Sequence, residues 1–482
     1  MKQTFFRNLI FLLVLNVLIK PLYVLGVDRT VQNLTGHGEY GLYFALFNLS
    51  ILFSIILDIG ITNYNNRIIA QQPSLIKKYL SNILCFKALL FILYCALTFV
   101  AAVFLQPTRE GYYILGILIL NQGLNSLLLY LRSNLSALQF FKLDSFLSIL
   151  DKLLMILLFG WLYYFKPIAG EFQIEWFVYS QTASYVITIL VATVLLLQRI
   201  PKLQFSFEFS MLKTIWKESY LLAIIVLLMG IYTRTDAVLL KKLLGTEGDI
   251  QVGIYASAFR LLDAANQFGF LFAALLLPIF SRLIRRGQKV DELTAISFKT
   301  IFIFSWILAV VCLFFRNEIM QLLYHDTTIY SANILGILMF ALPGASTVYI
   351  FGTLLAANRS LKQLAVATAV TAIINLSLNI ILIPKYQCIG AAIAAVSTQC
   401  FVGVIEIFIS RKIFHLKMNL ELIGKLILFS MLSLGVGYAA HLFITSLIPG
   451  VIAGLLISLL IAFVLKLFEV KKVKALMVSG EE

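Results

Sequence analysis

The feature that most limits what this chain can become is a series of fourteen apolar runs, each close to the length of a bilayer crossing. A helix that spans about 30 Å of hydrocarbon needs about 20 mostly apolar residues. The runs lie near 8–27, 40–61, 79–104, 111–132, 143–165, 174–198, 217–240, 252–280, 297–315, 331–356, 363–383, 388–410, 421–445 and 447–468. The last two are the hardest to separate, meeting at Ser446 to Gly450 around Pro449. Of the 482 residues, 61% are hydrophobic and 13% charged, against about 45–50% and 25% in soluble domains. The apolar excess has to face lipid, so the expected fold class is an all-α polytopic membrane protein of about fourteen transmembrane helices. Lys2 and Arg7 ahead of the first run imitate a secretion signal, but the region near Gly26 has no A-x-A-like cleavage site, and the run is expected to stay as the first helix.

Orientation follows from the basic residues. If the N-terminus is cytoplasmic, 26 of the 38 Lys and Arg fall on the cytoplasmic side, seven in external loops and five inside spans. Positively charged loops stay inside, and one missed helix would reverse every later loop. Both termini are therefore expected in the cytoplasm. The net charge of +15 is read as topology rather than as a nucleic-acid surface. Cys85, Cys95, Cys312, Cys388 and Cys400 form no CxxC pair and lie mostly in apolar runs, which marks them as packing residues rather than disulfide or metal ligands.

A short pattern recurs. Gly41-Leu42-Tyr43 opens the second span and Gly253-Ile254-Tyr255 opens the eighth, an offset of six spans. An even offset gives two halves of the same orientation, a parallel repeat of the transporter type with the substrate site at the repeat interface. The expected organisation is an N-lobe over 1–200 (helices 1–6), a polar, basic linker over 201–216, a C-lobe over 217–412 (helices 7–12), and helices 13 and 14 with a tail over 413–482.

Charges inside spans cost at least about 2.5–3.5 kcal/mol at mid-bilayer and are usually paired or functional. Arg260, Asp263 and Gln267 share one face of the eighth helix at i, i+3 and i+7, and form either a self-compensated pair or a cavity-lining stripe. Arg234 and Asp236 are two apart and need separate partners. Asn16 and Lys20 share a face just before Pro21, where a kink is expected. Asn375 and Asn379 share another before Pro384, and suit either a polar cavity or interhelical bonding. Lys87, Asp151, Lys152, Asp58 and Glu406 complete the interior charges. Substrate contact is expected of Arg260, Lys20, Arg234, Gln267, Asn16, Asn375 and Asn379, and ion or proton coupling of Asp263, Asp58 and Asp236. No nucleotide-binding G-x-x-x-x-G-K-[ST] or H-E-x-x-H occurs, and the four histidines are scattered. An ATP-independent carrier with no catalytic residues, metal or cofactor is expected.

Gly41-Leu42-Tyr43 with Leu57-Asp58-Ile59-Gly60-Ile61 resembles the first hairpin of the O-antigen and polysaccharide flippases of the multidrug/oligosaccharidyl-lipid/polysaccharide (MOP) exporter superfamily. Arg234-Thr235-Asp236 through Ala258-Phe259-Arg260-Leu261-Leu262-Asp263 to Leu277-Pro278 is similar to that family's seventh and eighth helices. Asn375 to Pro384 with Gly390-Ala391-Ala392-Ile393-Ala394 is similar to its eleventh and twelfth. The resemblance covers about residues 5–412. It implies two six-helix lobes related by a pseudo-twofold axis along the membrane normal, a central cavity, and a polyprenyl-diphosphate-linked oligosaccharide turned from the inner to the outer leaflet of a bacterial inner membrane. Lipopolysaccharide or other surface polysaccharide assembly is the implied setting. A monomer among membrane lipids, working beside a polysaccharide polymerase and glycosyltransferases, is the implied company. A drug exporter of the MATE type and a peptidoglycan-precursor flippase are the alternatives on the same fold. A membrane glycosyltransferase or polymerase would want a large external loop, and the longest here, near 27–40 and 241–252, are short.

Overall fold

The computed structural model describes residues 19, 21–165, 172–200, 209–416, 419–444 and 446–467. Among them twelve helices are long and apolar enough to cross a membrane. Two of the twelve are folded hairpins. In the first, a π-helical turn Tyr23–Asp28 runs into α1 (Arg29–Phe53), which breaks at Gly36 with φ 73° and ψ 178°. Tyr40 Oη donates to Asp28 Oδ2 at 2.8 Å, although twelve residues of straight helix would separate them by about 18 Å. The second is a 54-residue element, Leu361–Phe414, broken at Gln387 with φ 51°. There Asn375 Nδ2 donates to Thr398 Oγ1 at 3.3 Å, across what would be about 34 Å of straight helix. With both arms of each hairpin counted, the described residues hold fourteen apolar helical segments, and most of the first expected span, 8–27, lies outside them.

The first break falls at one residue inside the loop expected over 27–40. Its polar side chains bond to helix carbonyls, Thr30 Oγ1 to Gly26 O at 2.5 Å and Thr35 Oγ1 to Val31 O at 3.1 Å. The helix therefore continues to Thr35, and Gly36 makes the turn in a backbone region that L side chains avoid.

The remaining elements are α2 (Ile61–Gln71), α3 (Ile76–Leu105), α4 (Arg109–Ala137), α5 (Phe141–Phe165), α6 (Ile174–Leu197), α7 (Phe209–Leu243), α8 (Gly248–Arg285), α9 (Asp291–Phe314), α10 (Arg316–Leu323), α11 (Ile329–Leu338), α12 (Ala341–Ala357), the hairpin α13 (Leu361–Phe414), α14 (Leu420–Phe443) and α15 (Leu447–Val464). The chain divides into two compact units, Met1–Ala256 and Ser257–Glu482, the division falling inside α8. Of the segment read as a linker, 201–208 lies outside the described residues.

In the first unit, Ile83, Phe86, Leu131, Leu135, Leu147 and Leu196 build a core from α3, α4, α5 and α6. Against it α1 packs along α7 and the start of α8. At one end of that seam the two repeated glycines meet. A Cβ on Gly41 would run into Asp249 O and lie 2.7 Å from Gly253 N; one on Gly253 would run into His37 O. Gln32 Nε2 donates to Gly253 O at 2.8 Å across the same contact. At the other end Gly60, left-handed at φ 81°, places its Cα where a Cβ would lie 2.5 Å from Ser219 Cβ, and Arg67 pairs with Glu218.

In the second unit, α14 and α15 pack on α9. Ile303, Ile307 and Phe315 meet Phe429, Ala440 and Ala462 in one cluster, and Trp306 Nε1 donates to Ser433 Oγ at 2.9 Å.

Candidate functional site

A cationic and aromatic cluster lies inside the first unit, where the first span, α1, α5 and α6 come together. Lys152 Nζ is 3.0 Å from Asp151 Oδ2. It also sits over the ring of Tyr23 at 5.1 Å and over that of Tyr185 at 5.4 Å. A carboxylate and two ring faces offset the penalty of a membrane-buried ammonium, each cation–π contact contributing about 0.5–2 kcal/mol. Gln181 lies one turn before Tyr185 on α6, and its Nε2 donates to Tyr23 Oη and Tyr43 Oη, both at 3.3 Å. Tyr43 in turn meets Phe177 edge-on at 5.5 Å. Tyr23 opens the π-helical turn that follows Pro21, and such wider turns re-aim side chains at functional positions. The result is one ammonium, an amide and two phenolic hydroxyls framed by rings. An ammonium suits phosphate oxygens, hydroxyls and amide suit sugar hydroxyls, and ring faces suit the C–H face of a pyranose.

A second ionic group closes the bend between α1 and α2. Lys87, 7% exposed, donates to Leu57 O at 3.1 Å, Asp58 Oδ1 at 3.3 Å and Ser126 Oγ at 2.8 Å, and lies 5.7 Å from the centre of the Tyr130 ring. All three ammonium hydrogens have acceptors. Asp58 also accepts from Thr62 N at 3.2 Å and from the Thr62 hydroxyl. The carboxylate expected to couple ions therefore sits in a pair that holds the bend.

The other expected site residues are distributed as follows. Asn16 and Lys20 lie outside the described residues. Arg234, half-buried, and Asp236, buried, sit on α7 in the first unit, and Tyr255 Oη donates to Asp236 Oδ2 at 3.1 Å. That bond parallels the one from Tyr40 to Asp28, so a tyrosine–aspartate bond ties the opening hairpin of each repeat. Arg260 is buried, and Asp263 and Gln267 half-buried, on α8 in the second unit. Asn375 and Asn379 are wholly buried in α13. Asn379 Nδ2 donates to Asn375 O at 3.0 Å and Oδ1 at 3.1 Å, while Asn375 reaches Thr398 on the opposite arm. Asn121 on α4 donates to Val178 O at 3.3 Å and accepts from Thr182 Oγ1 at 2.7 Å, binding α4 to α6. In the sequence Lys152 is one of ten interior charges. Its tyrosines stand far away in the chain, and only the position of Lys152 mid-span pointed toward it.

These interior groups sit in a chain whose first half has a recognised relationship. The profile described as polysaccharide biosynthesis protein matches residues 5–284. The chain belongs to that family. Solved structures of membrane transporters, among them ones described as MOP superfamily members, share the fold. A lipid II flippase, MurJ, in an inward closed conformation superposes with a TM-score of 0.70 at 16% identity, over 95% of this chain and 98% of its own. An inward-facing multidrug resistance MATE transporter of the MOP superfamily gives 0.61 at 16% identity, over 84% of this chain and 94% of its own. The Vibrio cholerae MATE transporter VcmN gives 0.58 at 14% identity, over 85% and 97%. At such identities the likeness establishes the fold alone. No curated protein sequence matches the chain.

Proposed function

We propose that this family member is a flippase that carries a polyprenyl-diphosphate-linked oligosaccharide from the cytoplasmic to the outer leaflet of a bacterial inner membrane, by alternating access, for surface polysaccharide assembly of the O-antigen or lipopolysaccharide kind. The observation that carries the reading is the Lys152, Tyr23, Tyr43, Tyr185 and Gln181 cluster inside the first unit of a polysaccharide biosynthesis protein. A diphosphate with a glycan cannot cross hydrocarbon unaided, because its polar groups would lose their partners. The cluster offers replacements for both parts, and the polyprenyl tail stays in lipid. The cargo leaves chemically unchanged, so the chain acts as a carrier rather than an enzyme.

The glycine seam supports the direction of travel. With the arginine- and lysine-rich side in the cytoplasm and both termini there, Gly41 and Gly253 close the external end by backbone contact. Side chains hold the cytoplasmic end, among them the exposed Arg67–Glu218 pair, the Gly60–Ser219 contact and Met211 and Ile215 of α7 in one apolar cluster with Ile61 of α2, and such contacts part more readily for loading than a backbone crossing. Arg260, Arg234 and Gln267 on α7 and α8, with Lys20 and Asn16 on the first span, are the further substrate contacts proposed, and Asn375 and Asn379 the polar bond between the arms of α13. Asp263 and Asp236 are the proposed coupling carboxylates; Asp58, paired with Lys87, is the least suited of the three. An inside-negative potential adds about 2.3 kcal/mol per charge per 100 mV to outward movement of the diphosphate.

A peptidoglycan-precursor flippase is the second reading, favoured by the 95% coverage in the MurJ superposition against 84–85% for the MATE structures. Deletion in a host without a redundant flippase separates the two. Accumulation of lipid-linked oligosaccharide with intact cell wall synthesis supports the polysaccharide substrate; wall arrest with normal surface glycan supports the other.

A further inference from the structure

At the arginine- and lysine-rich side of the second unit, a cavity of about 470 Å³ opens between the ends of α9, α12, α13, α14 and α15. That volume lies in the range of small-molecule sites, about 300–1,000 Å³. It separates two apolar clusters that share one residue, Phe298. Phe298 meets Phe302 at 5.5 Å and Phe351 at 5.7 Å in tilted contacts, and Phe298 and Phe351 both line the cavity. Two turns shape the rim. His415 and Lys466 both adopt left-handed backbone, with φ 52° and 54°, and the residues after them, Leu416 and Leu467, enter the wall. For residues with a Cβ this conformation costs about 1–2 kcal/mol each, and such strain tends to collect at binding sites.

The charge on the wall is mixed with a positive remainder. Lys299, Arg411, Lys425 and Lys466 face Asp291, Glu292 and Glu421, one more cation than carboxylates. Lys425 is matched by Glu421 at 2.5 Å on the same helix. Asp291 and Glu292 occupy the first turn of α9, where they offset the helix dipole. Lys299, 6% exposed, is a buried member of the lining. Cations at a helix-end pocket, apolar wall residues such as Ile296, Ile407 and Leu422 and a remainder of one positive charge match one class of molecule, an amphiphile with a single phosphodiester.

We propose that this cavity is a phospholipid head-group site. Lys299, Arg411 and Lys466 hold the phosphodiester, and the acyl chains leave along the apolar walls into the inner leaflet. The occupant is a membrane phospholipid rather than free phosphate, because the walls between the cations are apolar. The site also gives α14 and α15 a purpose, since their ends supply Leu422, Lys425, Lys466 and Leu467 to it. It is separate from the Lys152 cluster and stands independently of what that cluster carries.

Native mass spectrometry of the full chain in detergent tests it, with dioleoylphosphatidylglycerol and dioleoylglycerol as probes and excess inorganic phosphate as competitor. The expected result is retained phosphatidylglycerol, no comparable retention of dioleoylglycerol, and no displacement by phosphate. In a protein carrying Arg411→Gln and Lys466→Gln, both exposed at helix ends, retention should fall at least about tenfold, as removal of a charge-assisted contact implies. The melting temperature without added lipid should be unchanged, and the rise that phosphatidylglycerol gives the parent protein should be lost. Equal retention in parent and variant, equal retention of the phosphate-free lipid, or displacement by inorganic phosphate would overturn the site.

Discussion

The two ends of the seam where α1 meets α7 and α8 are built on different principles. At the Gly41 end, main chain lies on main chain, and the side-chain bond that Gln32 makes across it itself ends on a carbonyl. At the Gly60 end, side chains make the link: a half-exposed Arg67–Glu218 pair, with side chains 47% and 46% exposed, a serine against a glycine, and Met211 and Ile215 packed with Ile61. Exposed pairs contribute about 0–1 kcal/mol, whereas a backbone crossing admits no added atom without moving a helix. The difference separates an end held by main chain from an end held by side chains, which is what the proposed carrier needs if it loads at the Gly60 end. The Lys87 group stands behind the Gly60 end and holds the bend that makes it.

Substitutions that break this contrast should differ in size. Lys87→Met should have the largest effect, removing three hydrogen bonds and an ion-pair partner, and should lower stability by about 3 kcal/mol, read as a fall in the denaturant midpoint in detergent. Gly253→Val should come next. The overpacked crossing should cost about 1–3 kcal/mol, abolish transport, and make cysteines placed near the external end of α1 reactive toward impermeant maleimide. A Gly253→Val protein that transports normally would mean that the crossing is not a closure. Lys152→Met, which also leaves the Asp151 carboxylate without this partner, should cut transport by the folded protein about tenfold or more, the equivalent of about 1.4 kcal/mol of lost charge-assisted contact, with Lys152→Arg partly restoring it. Arg67→Ala should have the smallest effect, under about 1 kcal/mol in stability, and combined charge reversal of Arg67 and Glu218 should recover even that.

Much of the architecture was readable in one dimension, because a bilayer crossing has a length and basic loops a side. The hairpin at Gln387 was bracketed by its flanking apolar arms, although no glycine marked its left-handed turn. Gly41-x-Tyr43 and Gly253-x-Tyr255 were visible as a pattern, but a repeat does not say which helices touch. That the two glycines lie against each other is a tertiary fact. Arg260, Asp263 and Gln267 were placed on one face of α8 by periodicity, and Asn375 and Asn379 on one face of their arm; Thr398, the partner across the hairpin, had no such signal. The Lys152 cluster was the least legible. Tyr23, Tyr43, Gln181 and Tyr185 come from three other spans, and no local spacing joins them.

Reconstitution tests the central claim most directly. The protein is placed in liposomes with a polyprenyl-diphosphate-linked oligosaccharide, and glycan exposed on the far leaflet is followed with an added impermeant glycosidase. The expected result is protein-dependent exposure, lost in Gly253→Val and slowed about tenfold in Lys152→Met. Exposure no faster than in protein-free liposomes, from a preparation shown to be folded, would contradict the account.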